Sequence, residues 1–314
     1  MRLIDFAGLV LVQLIWGFHV SVAKVGLTEF PSLFLMGARF AVVAALLCPF
    51  VPLPRRKVLP ILGLSVTFGT LNFGLFYCGV AHLDAGTSAI LGQAQVPFAA
   101  ILAGYVYHDR FGWRRLAGLL LSLVGIVLIV GEPRIGSNVV WALSILASSV
   151  AAAAATLQIK ALGPIGSFTL SGWLALFAAP QLLACSFLLE DGQWAAVRNA
   201  TWRGWASLGY TVLVVAIGSY CLWYPLVRRY QVNQVMPFTL LIPVFGVLSG
   251  MLMLGETQNV RSLLGGLATV AGVAVIVLSK PRGGQSDGKT CQGGQDHVVS
   301  AGSLGSAGCR QDRQ

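Results

Sequence analysis

Charge is scarce in this sequence. Only 10% of its 314 residues are Asp, Glu, Lys or Arg, against 56% hydrophobic residues and a mean hydropathy of +0.78. That balance excludes a soluble globular domain, which carries about 25% charged residues. Acidic residues are the scarcer sign, 11 against 21 basic. Asp5, Glu29, Asp84, Asp109, Glu132, Glu190, Asp191 and Glu256 all fall at the ends of apolar runs, and the other three lie near the C-terminus. The six cysteines include no CxxC pair: Cys48, Cys78, Cys185 and Cys221 sit in apolar runs, and Cys291 and Cys309 lie in the C-terminal stretch. Neither a disulfide framework nor a metal site is therefore signalled. No His, Asp and Cys constellation of the kind a membrane enzyme places at the bilayer edge is visible, and no cofactor is called for. The single basic residue before the first apolar run is followed by no small-residue cleavage site, so the run reads as a retained helix.

Long apolar segments fill the chain instead. A spanning helix needs about 20 mostly apolar residues, and the sequence divides into ten such segments: 5–25, 31–51, 58–81, 85–106, 113–131, 138–159, 167–189, 204–227, 232–254 and 261–279. The fold class expected is an all-α membrane protein. With the N-terminus in the cytoplasm, twelve lysines and arginines fall on the inner side and five on the outer, which by the positive-inside rule puts both termini in the cytoplasm. The net charge of +10 is thus assigned to loops at a lipid bilayer and not to nucleic-acid binding. Residues 281–314, rich in Gly, Ser and Gln, read as a disordered cytoplasmic tail.

The two halves resemble each other. Pro97 falls on Pro243 at an offset of 146, Gly118 on Gly265 and Gly125 on Gly272 at 147, and Lys24 on Lys160 at 136. The expected division is 1–134 for the first repeat, 135–280 for the second and 281–314 for the tail. An odd number of spans per repeat turns the second copy upside down, the architecture of alternating-access carriers, which bind substrate near the midplane at the repeat interface. Gly118, Gly125, Gly265 and Gly272 recur at seven residues and read as packing faces, within one chain or between two copies in a homodimer.

Ten spans in two inverted halves, together with LIWGFHVSVAKVGL, GARF, TSAILGQAQVPFAAILAGY and GVLSGMLMLGE, resemble the EamA family of the drug/metabolite transporter superfamily, over residues 5–280. The WG, QAQ and GE pieces are similar to the branch that exports cysteine and O-acetylserine. The linker HDRFGW departs from that pattern, with His108 and Asp109 where the family commonly has a GE pair. The resemblance implies a bacterial inner-membrane carrier that exports amino acids or related small metabolites. The alternatives are a carrier of the same superfamily for a sugar, nucleotide precursor or drug, and a membrane-embedded enzyme or structural subunit.

Polar side chains inside a membrane are costly unless they face a cavity or a partner, so each is a candidate site residue. Arg39 lies roughly 12 Å into the second span at 1.5 Å per residue. It either bonds carbonyls or amides of a neighbouring helix or attracts a substrate carboxylate, for which guanidinium offers two parallel donors. Lys24 is expected to snorkel outward. His19, whose unperturbed pKa lies nearest physiological pH, is either a proton relay or a bonded structural residue. Trp16, Tyr77, Trp173, Tyr220, Trp223 and Tyr224 either line a cavity that accepts an ammonium group or pack, and Asn72, Gln158 and Asn233 are further polar candidates. Pro97, Pro237 and Pro243 are expected to break their helices and free the carbonyls of Gln93, Asn233 and Thr239, leaving Gln93 and Thr239 toward the substrate. Gln95, about 200° from Gln93 on a helix, is expected to face a neighbouring helix.

Overall fold

The structure, a computed structural model, describes residues 2–107, 112–131, 138–230, 235–257 and 259–278. The expectations placed on His108, Asp109, Asn233 and the tail 281–314 lie outside the described residues. Those described form helices and connections without a strand. Eight helices are long and apolar enough to cross a membrane: α1 Leu3–Leu27, α2 Ser32–Phe50, α3 Arg55–His82, α4 Ala85–Val106, α6 Val139–Leu162, α7 Ser167–Leu189, α8 Trp202–Val227 and α10 Val260–Leu278. At the other two expected positions the apolar helices are shorter, α5 Leu116–Val130 and α9 Phe238–Leu254. The connection after α7 contains a two-turn helix, Gln193–Asn199, entered through Gly192 at a φ of 80°.

Most of the spanning helices are apolar on several sides, and close backbone approach fixes which sides meet. A β-carbon on Gly125 would stand 2.5 Å from the Gly265 carbonyl, and one on Gly272 would stand 2.6 Å from that of Gly118. The repeating glycines therefore seat α5 directly on α10 within one chain. Gly17 of α1 meets Phe245 and Gly246 of α9 in the same way, and Gly37 of α2 meets Leu183 of α7.

Helix pairs follow from these faces: α5 with α10, α2 with α7, α4 with α9, α1 with α9 and α8, and α6 with α4 and α3. Counting five spans forward converts α1·α9 into α6·α4 and α1·α8 into α6·α3, and returns the other three pairs to themselves. Two further irregularities match under the same count. The i→i+5 hydrogen bonding of a π-helix runs through Ser65–Asn72 in α3 and Tyr210–Ser219 in α8. Likewise α4 is interrupted between Gly92 and Gln95, and α9 begins in a 3-10 turn, Met236–Leu240.

The interruptions are built differently from the sequence expectation. Pro97 sits in the first turn after the break, where its missing N–H costs nothing, and the chain turns upstream of it. The carbonyl of Gln93 is not left open: the Val96 N–H donates to it at 3.0 Å. Pro243 similarly occupies the first turn of Leu241–Leu254, and the Thr239 carbonyl, with that of Phe238, receives the Leu241 N–H. Pro237 lies near the start of the 3-10 turn.

Candidate functional site

α1 carries two of the candidate residues one turn apart, and each gathers a separate cluster. His19 meets α3, where the Tyr77 hydroxyl lies 2.9 Å from its Nε2. Tyr77 stacks on Phe73, one turn away on α3, with ring planes 9° apart. The guanidinium of Arg39 on α2 stands 5.0 Å from the centre of the Phe73 ring and 5.9 Å from that of Phe40. A cation over aromatic faces is held by their quadrupoles, more strongly where water is excluded. Arg39, Phe73, Tyr77 and His19 thus form one chain of contacts across α2, α3 and α1.

Arg39 is only 6% exposed, and its Nη1 has no hydrogen-bond partner. Among the described residues the acidic side chains lie at or beyond helix ends, and neither ion pair found there involves Arg39. The packing of α2 on α7 and α3 therefore holds a buried positive donor with unspent hydrogen-bonding capacity, an arrangement that favours an anionic ligand at that nitrogen.

The second cluster joins α1 to α8. Trp16 donates its indole N–H to Ser219 Oγ at 2.8 Å and packs on Tyr220 and Trp223, with ring centres 5.9 and 5.1 Å away. Ser219 ends the π segment of α8, as Asn72, half-buried, ends that of α3 just before Phe73. A wider turn rotates the residues that follow it relative to those before, and such segments are frequent at functional sites.

Other candidates are placed elsewhere. Gln93 is buried at the interruption of α4, and Gln95 is exposed instead of packed on a neighbouring helix. Gln158 is exposed and accepts a hydrogen bond from Thr67 of the π segment of α3. Trp173 is tied to the Pro52 carbonyl at 3.0 Å. Thr239 lies half-buried in the 3-10 turn. Lys24 does not snorkel freely: its ammonium donates to the Leu83 carbonyl at 2.6 Å and to Glu256 at 3.1 Å.

Gln13 was not among the sequence candidates. It is fully buried in α1 with neither amide atom partnered, and Ser88 of α4 is likewise buried and unpartnered. Gln13 shares the Gly17 face one turn away, so an amide on the α9-facing stripe of an otherwise apolar helix was the available signal. Among the described residues no group of three His, Cys, Asp or Glu side chains is arranged to hold a metal.

The model of the EamA-like transporter family matches residues 5–131 and again 139–278. A protein of Salmonella typhimurium named "Probable amino-acid metabolite efflux pump" is 30% identical over 85% of this chain and 92% of its own length. Its counterpart of the same name in Escherichia coli is 28% identical over 85% and 92%. An "Uncharacterized transporter YoaV" of Bacillus subtilis is 23% identical over 85% and 94%. One crystal structure, described only as that of a protein, aligns at a TM-score of 0.56 and 15% identity over 85% of this chain and 94% of its own, which is a likeness of fold.

Proposed function

The chain belongs to the EamA-like transporter family, and from that premise we propose that it exports amino acids or closely related small metabolites across the bacterial inner membrane by alternating access. Its architecture is that of a multi-span membrane transporter. The observation that carries the substrate class is Arg39, a buried guanidinium with an unpartnered Nη1 beside the His19–Tyr77 pair. A substrate carboxylate supplies the missing acceptor, and the aromatic faces of the Trp16 cluster suit the ammonium group of the same molecule. Two relatives named for amino-acid metabolite efflux support the reading.

Alternating access is supported by the helix pairing that repeats on counting five spans forward and by irregular segments at matching places in the two halves. Interrupted helices in corresponding positions are the usual site of binding in such carriers. The excess of basic residues on the Arg55 and Lys160 side supports cytoplasmic termini. Purified protein in liposomes loaded with labelled amino acids tests the proposal: the reading requires efflux that an unlabelled carboxylate-bearing amino acid competes for. Retention of every member of a broad amino-acid panel would exclude it.

A further inference from the structure

At the Lys24 end of the molecule, one turn of backbone is gripped by side chains of two other helices. The turn is residues 83–86, which joins α3 to α4. Glu256, just beyond α9, accepts the Ala85 N–H at 2.7 Å on one carboxylate oxygen and the Gly86 N–H at 3.1 Å on the other. Lys24, near the end of α1, bridges the same carboxylate at 3.1 Å and the Leu83 carbonyl at 2.6 Å. Gly255 makes the grip geometrically available: its left-handed φ of 65° ends α9 and turns Glu256 back over the start of α4. A side chain at that position would be strained.

The grip ties the end of α3 to α9, two helices that share no extensive packing among the described residues, although α4 packs on α9 and α1 touches both α3 and α4. Below the grip α4 packs on α9 along small residues, where a β-carbon on Gly246 would stand 2.6 Å from that of Ala89, and α1 meets α9 at the Ser21–Ser249 hydroxyl pair. Beside the grip opens a cavity of about 740 Å³ that Lys24, Glu29, Asp84, Arg203 and Glu256 line with charge of both signs. Glu256 is 6% exposed, so its charge is held by donors alone, two backbone amides at a helix N-terminus and one ammonium. Losing either partner leaves the other at least partly desolvated without its counter-charge, so the contact favours two states, engaged or fully parted.

The geometry points to Lys24 and Glu256 as a latch that holds the passage closed at this end, released when the α3–α4 turn swings away to free the solute into the charged cavity. This rests on the alternating-access reading given above. Glu190 supplies the internal control. It caps α2 from the end of α7, accepting from Ser32 Oγ, the Leu33 N–H and the Phe34 N–H at 2.9, 2.9 and 3.2 Å, but it joins helices that are already paired along their length.

The test is a distance measurement between spin labels at Ala81 of α3 and Met253 of α9, both exposed, in protein whose native cysteines are replaced. Glu256→Gln and Lys24→Met should each add a longer-distance population that the parent lacks, and the double variant should add no more than either alone. Glu190→Gln should leave the distribution unmoved. Unchanged distances in both latch variants, or an equal shift in Glu190→Gln, would overturn the assignment. The readout needs no substrate, so a latch that opens in a protein that moves no amino acid would reject the transport reading alone. Transport with unmoved distances would reject the latch alone.

Discussion

The Tyr77 hydroxyl and His19 Nε2, 2.9 Å apart, tie α3 to α1 at the level where Arg39 holds an unpartnered guanidinium nitrogen. Both rings are part of the surface that the Arg39 chain of contacts presents, so the hydrogen bond fixes the position of the Tyr77–Phe73 stack under the cation.

Tyr77→Phe keeps the stack and removes only the hydroxyl. The expected cost in stability is about 1 kcal/mol, because His19 is left without that partner. Transport should fall more than folding does, and rate measurements on liposomes alongside thermal unfolding in detergent separate the two.

Glycine contacts give a stability prediction with its own control. Gly125→Ala places a methyl group within 2.5 Å of the Gly265 carbonyl and Thr269 N, both backbone atoms that do not yield easily. It should cost about 1–3 kcal/mol. Gly63→Ala meets nothing within 4 Å inside a helix and should be neutral or stabilise by about 0.5–1 kcal/mol. Thermal unfolding of the two variants checks the difference.

Glu190 gathers Ser32, Leu33, Phe34 and Ser186 onto one carboxylate. Glu190→Gln substitutes an amide donor for one acceptor and should cost about 1–2 kcal/mol, the range of a lost helix cap. The melting temperature reports it, and amide exchange at residues 33 and 34 should accelerate with it.

The positions of the helices were legible because apolar runs, punctuated by clusters such as LPRRK and KALGPIG, carry their own length limit. That Gly118, Gly125, Gly265 and Gly272 form packing faces was legible in their constant spacing, but that the two faces meet each other was not. Nothing in SVTFGTLN or YTVLVVAIGS announces a π-helix; in α3 the wider turn coincides with the close approach of Ala178 to Gly69. The helix break was expected at the carbonyl opposite Pro97, whereas the chain turns earlier and satisfies that carbonyl with Val96. The carboxylate caps from Glu29, Glu190 and Glu256 escaped the sequence reading for a different reason. Each joins residues more than 150 positions apart, and a lone glutamate at a helix end looks the same whether it meets water or another helix. Arg39, His19 and Tyr77 were each visible as polar or aromatic intruders in apolar runs, but their convergence required the packing of three helices.

Arg39 carries the central claim, and one measurement addresses it directly: efflux of a labelled amino acid from liposomes by the parent protein and by Arg39→Met. Methionine fills similar space without the unpartnered donor, so the variant should fold with equal or greater thermal stability. Its efflux should fall by about 30-fold or more, corresponding to about 2 kcal/mol for a lost charge-assisted contact. A well-folded Arg39→Met protein that exports the same amino acid at the parental rate would contradict the account.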